Sequence, residues 1–108
     1  MVDRACFLLH LRPELVGEYL QVHEQVWPEM QQALSETGWR NYSLFVRPED
    51  GLVVGYLETD DFDAALAGMD AHPVNDRWQA AMAPFFPDPG TTRPDQRMQR
   101  LTEYFHLA

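Results

Sequence analysis

Apolar positions in this chain change their spacing several times, and each change marks an element. Residues 5–11, Ala-Cys-Phe-Leu-Leu-His-Leu, are a nearly unbroken apolar run of strand length, stopped by Arg12-Pro13. Beyond them Leu15, Tyr19, Val22, Val26, Met30 and Ala33 recur at three- and four-residue steps, with Glu18, Gln21, Glu24, Gln25 and Gln32 between them. That is the pattern of an amphipathic helix. Pro13 suits its first turn and Glu14 the positive end of its dipole. Pro28 lacks an N–H and crowds the preceding turn, so a kink or break is expected near Trp27, and Gly38 ends the second piece.

Residues 39–46 and 52–58 are rich in aromatic and β-branched side chains, and Asp50-Gly51 between them supplies turn chemistry. An antiparallel hairpin follows. Thr59, Asp60 or Asp61 can cap a helix from Phe62 to Met69 or Ala71, which His72-Pro73 breaks. Asn75 or Asp76 can start a further helical stretch over residues 77–83. Pro84, Pro87, Pro89 and Gly90 then impose a loop, and residues 98–107 read as a last strand. The order β-α-β-β-α-β predicts one α+β domain over residues 1–108: a ferredoxin-like, split βαβ sheet with helices on one face. The uncovered face predicts a homodimer of the dimeric α/β-barrel type, sheet against sheet, with Phe7, Phe45 and Tyr56 near the contact.

Charge and composition narrow the function. A net charge of −9 makes nucleic acid a poor partner. All 8 basic residues are arginine, which excludes Schiff-base and P-loop lysine mechanisms. The lone Cys6 cannot form an internal disulfide, in keeping with a reducing cytoplasm. Neither a signal peptide nor an apolar span of membrane length is expected.

Four histidines are candidate proton carriers at neutral pH. His10 closes a strand, His72 precedes proline and His106 lies near the C-terminus, all ordinary structural or surface settings. His23 stands four residues after Tyr19 and four before Trp27, so the three share a helical stripe. That stripe fits a small polar ligand; equally, it fits an aromatic core with a satisfied buried histidine. His23-Glu24 begins like a zinc-protease motif, but Trp27 stands where the second histidine would be, and no metal site is expected. Residues 39–42, Trp-Arg-Asn-Tyr, could line a pocket or cover the core.

The block from Tyr19 to Met30 has a Y-x-x-x-H-x-x-x-W-P-E pattern, followed in order by Asn41-Tyr42, Arg77-Trp78, Pro87-Asp88 and residues 103–107, Glu-Tyr-Phe-His-Leu. In these segments the whole chain resembles the L-rhamnose mutarotase family. The resemblance implies a cofactor- and metal-free isomerase that interconverts the α and β anomers of an L-sugar, acting as a homodimer. It implies His23 as proton donor and Tyr19, Tyr42 and Trp78 as sugar contacts, with water or a carboxylate such as Glu29 as second proton carrier. Where the family has a second tryptophan this chain has Gln79, which either faces the pocket and prefers a hydroxyl-bearing sugar or points to solvent. Two other functions fit the same architecture: a cofactor-independent monooxygenase and a non-catalytic sugar-binding dimer.

Overall fold

In a computed structural model, which describes residues 2–87 and 93–108, the elements follow that order with revised ends. Strand β1 (Asp3–His10) leads through a 3-10 turn at Pro13–Leu15 into helix α1 (Val16–His23). The chain then breaks and restarts as α2 (Pro28–Glu36). The cause is local. Trp27 precedes a proline and is extended, with φ −50° and ψ 133°, because the α conformation would clash with the proline ring. Pro28 takes the first helical position, where no N–H is missed.

Strands β2 (Arg40–Arg47) and β3 (Leu52–Thr59) form the expected hairpin, with Gly51 at φ 78° in its turn. Helix α3 (Phe62–Asp70) is capped by Asp61, whose carboxylate accepts from the Ala64 N–H at 3.1 Å. Helix α4 (Pro73–Met82) starts earlier than Asn75 or Asp76. Pro73 opens it, and the His72 ring accepts from the Val74 N–H at 3.3 Å. Two further 3-10 turns, Ala83–Phe85 and Pro94–Arg97, lie in the proline-rich stretch. The matched Asp88, and Pro89 and Gly90 with it, lie outside the described residues. The last strand, β4 (Gln99–Leu101), is far shorter than the expected span of residues 98–107. Past Leu101 the chain leaves the sheet with its large apolar side chains exposed, and the Glu103 side chain pairs with Arg4 at 2.7 Å.

The sheet is antiparallel throughout in the order β2-β3-β1-β4, the ferredoxin-like arrangement. Ala5, Phe7 and Leu9 of β1 and Val53 and Leu57 of β3 turn toward the helices and form the core with Val16, Met30, Ala65 and Met69. Phe7 therefore does not belong to the dimer surface: it is fully buried on the helix side, lying over its partner Gly55, where a Cβ would run into its ring. The opposite face carries Tyr56, half-buried, and Phe45, exposed. No helix among the described residues is long and apolar enough to cross a membrane.

One irregularity in the sheet aims a side chain. Arg40 faces Glu58 and Ser43 faces Tyr56, so Asn41 and Tyr42 together oppose the single residue between them, a β-bulge. Asn41 takes φ 48°, the left-handed conformation that asparagine tolerates better than most residues. The extra residue restores an inward position for Tyr42 instead of Asn41.

Candidate active site

The break between α1 and α2, the inner face of β2 and the inward stripe of α4 enclose a cavity of about 120 Å³. That is room for roughly ten waters, or about the heavy atoms of one monosaccharide. A wider groove bounded by Trp27, Pro28 and Ser35 shares His23, Trp39 and Tyr42 with it and opens it to the surface.

His23 sits at the C-terminal end of α1, half-buried. Its Nδ1–H donates to the Tyr19 carbonyl at 2.9 Å, one turn back, which leaves Nε2 as an acceptor for a ligand. Burial lowers its pKa below the usual histidine value, and the Tyr19 carbonyl offsets this only in part. The resting ring is neutral. Aromatic contacts hold it in place: the Tyr19 ring centroid is 4.2 Å away, and the Trp78 ring meets His23 edge-on at 5.3 Å. Trp27 in turn meets Trp78 edge-on at 5.0 Å. The break therefore shortens the predicted helical stripe to Tyr19 and His23, while Trp27 returns to it through Trp78.

Burial pushes the Tyr19 phenol up to about 12 and raises Tyr42 further, so both hydroxyls stay protonated donors. Trp39 is both core and cavity wall: its indole N–H donates to the Ala65 carbonyl at 3.2 Å, and its ring packs on Tyr42 at 5.0 Å. Arg40 and Asn41 take no part in the cavity and bond Asp60 and Glu58 at the surface.

Gln79 faces the cavity and is buried, so the solvent-pointing alternative does not hold. Glu29 is misplaced as a proton carrier: it is exposed and pairs with Arg77 at 3.3 Å, linking α2 to α4 outside the cavity. His10 and His106 are exposed, and His72 is the helix cap, so none reaches the cavity. Sequence reasoning missed Asn75 and Asp95, both in the lining. Asn75 was detectable, because with Gln79 it makes a polar pair at i and i+4 on the stripe that also buries Val74, Trp78 and Met82. Asp95 sits in a proline-rich stretch without periodicity. Among the described residues no three His, Cys, Asp or Glu side chains cluster as metal ligands.

Comparison with known proteins places this cavity in context. An L-rhamnose mutarotase of Ligilactobacillus salivarius is 37% identical over 99% of both chains, and one of a Jannaschia species is 32% identical over 98% of this chain and 99% of its own. The crystal structure of an L-rhamnose mutarotase from Formosa agariphila superposes with a TM-score of 0.78 at 22% identity, over 98% of this chain and 99% of that one. At that identity the likeness speaks for the fold. The L-rhamnose mutarotase family itself matches residues 4–107, nearly the whole chain, and the chain belongs to the L-rhamnose mutarotase family.

Proposed function

We propose that this protein is an isomerase that interconverts the α and β anomers of L-rhamnose or a closely related L-sugar, with His23 as its proton carrier. The carrying observation is the fixed, neutral His23 ring, its Nδ1–H held by the Tyr19 carbonyl, at the wall of a cavity of monosaccharide size. Anomer exchange needs no redox step. A proton leaves the hydroxyl on C1, a proton reaches the ring oxygen, and the C1–O bond opens to an aldehyde. Rotation about C1–C2 and closure by the reverse proton movements give the other anomer. A neutral imidazole begins by accepting, so Nε2 takes the C1 hydroxyl proton and returns it on closure. The donor role implied by the family is thus the second half of one shuttle.

Tyr19 and Tyr42 supply protonated hydroxyls that orient the sugar, Trp78 offers a flat apolar surface to its C–H face, and Gln79 contacts a hydroxyl. The second proton carrier is a water, since Glu29 lies outside the cavity and Asp95, the one carboxylate of the described lining, is taken up by its ion pair with Arg93. The active species is a homodimer formed through the outer sheet face, where Phe45 is 63% exposed, and the half-buried lone Cys6 suits the reducing cytoplasm. Family membership supports this reading over a monooxygenase or a non-catalytic binder.

Saturation-transfer NMR of the anomeric protons tests it. The protein accelerates α/β exchange of L-rhamnose over buffer, and His23→Ala loses about 10²- to 10⁴-fold of that rate while keeping the native fold. A wild-type protein without effect on a panel of L-aldoses would overturn the activity. A fully active His23→Ala would remove His23 from it.

A further inference from the structure

Beside Trp78, three residues close a ring of hydrogen bonds that all run the same way around. Gln79 Nε2 donates to Asn75 Oδ1 at 3.0 Å, Asn75 Nδ2 donates to Asp95 Oδ2 at 3.0 Å, and the Asp95 backbone N–H donates to Gln79 Oε1 at 3.1 Å. The ring fixes which end of each amide is N and which is O, because a flipped amide would set donor against donor. Arg93 locks the third member. Its Nε and Nη2 grip the two Asp95 oxygens at 3.1 and 2.8 Å, and it is itself held by Asp76 at 2.8 Å and Asp70 at 3.3 Å.

Hydrogen-bond capacity is left over on two residues that line the cavity. An amide nitrogen has two hydrogens, so Gln79 Nε2 keeps one. Among the described residues, Asp95 Oδ1 receives only the Arg93 Nε–H and keeps acceptor room, whereas Oδ2 already takes two donors. All three residues line the cavity; Asn75 is 1% exposed, while Gln79 (8%) and the Asp95 side chain (18%) are the more open two. Asp95 is also the only carboxylate among the described lining residues. A carboxylate held rigid by arginine in an otherwise mostly apolar wall is an acceptor with a fixed direction.

We infer that Gln79 and Asp95 form a donor–acceptor clamp for one hydroxyl of the aldose, Asp95 Oδ1 accepting its proton and Gln79 Nε2 donating to its oxygen. The clamp rests on the proposed sugar site and adds its specificity. It selects a hydroxyl other than the one on C1, which His23 handles, and Asn75 and Arg93 are positioning residues that keep its polarity. Amide and carboxylate together choose a hydroxyl over a methyl, since an apolar group would leave both without a partner.

Titration of ¹⁵N-labelled protein with L-rhamnose and its 2-, 3- and 4-deoxy analogues tests the clamp without a variant. The Gln79 side-chain amide resonances shift with L-rhamnose and stay put with one analogue, whose KM rises about tenfold at nearly constant kcat. Gln79→Met raises KM for L-rhamnose by about the same factor and abolishes the penalty for that one deoxygenation. Should Gln79→Met not fold, the wild-type titration decides alone. Shifts at His23 and the Trp78 indole with a silent Gln79 amide would overturn the clamp and leave the mutarotase reading standing. Silence of all three with every aldose, together with no catalysis, would instead overturn the assignment of the cavity to a sugar.

Discussion

At the residue scale, His23 and Tyr19 carry opposite pH signatures from one cause. Burial disfavours the charged form of each, lowering the histidine and raising the phenol to about 12. An unfolded histidine titrates near about 6.5, above the folded His23. Between those two values the unfolded state binds more protons, so His23 withdraws stability as pH falls below about 6.5. Tyr19 is the mirror case: its contribution is full below about pH 10 and is lost as pH rises toward 12. Urea melts from pH 5 to 11 should show both slopes, and His23→Gln should flatten only the acid one. The acid limb of kcat/KM should track the same group, with its midpoint below the usual histidine value. Tyr19 and His23 were legible in the sequence from their spacing, and Trp78 from the family resemblance. Asp95 was not, because its place in the cavity depends on Arg93 clamping a loop to two helices.

Elements were legible where composition or period is clean, as in the aromatic and β-branched run of residues 52–58 and the broken helix at Pro28. The bulge in β2 escaped that reading because one inserted residue leaves no mark in an aromatic-rich strand. Its mechanism is nonetheless specific. A left-handed backbone costs an ordinary L-residue roughly 1–2 kcal/mol, so Asn41→Ala should lose about that much, whereas Asn41→Gly should stay close to wild type. Because Asn41 is outside the cavity while Tyr42 lines it, Asn41→Ala should raise KM for the sugar and Asn41→Gly should restore it. Steady-state anomerisation and thermal melts on the pair separate aim from stability. Gly55 supports the same wall from behind, since Phe7 lies over it and its ring centroid is 6.4 Å from that of Tyr42. Gly55→Ala should cost about 1–3 kcal/mol by overpacking, read as a lower midpoint in denaturant.

At the scale of the whole molecule, the sheet order followed from the sequence of elements, but the extent of the last strand did not. Strand length depends on a partner, and within one protomer β4 has one for only three residues. With a charge of −9 on each copy, the proposed homodimer has to form against mutual repulsion, so light scattering should show it tighten as salt rises from about 10 to 150 mM. The chain past β4 offers a second measure of that association. Tyr104 is 96% and Leu107 82% exposed, and Phe105 lies between them, so a lone protomer presents adjacent aromatic residues outside any helix or strand, open to a chymotrypsin-type protease. Cleavage there is a clock for assembly: if the segment is covered in the dimer, the fraction cut per minute falls as protein concentration rises, and the dilution at which cutting reaches half its maximum gives the dissociation constant.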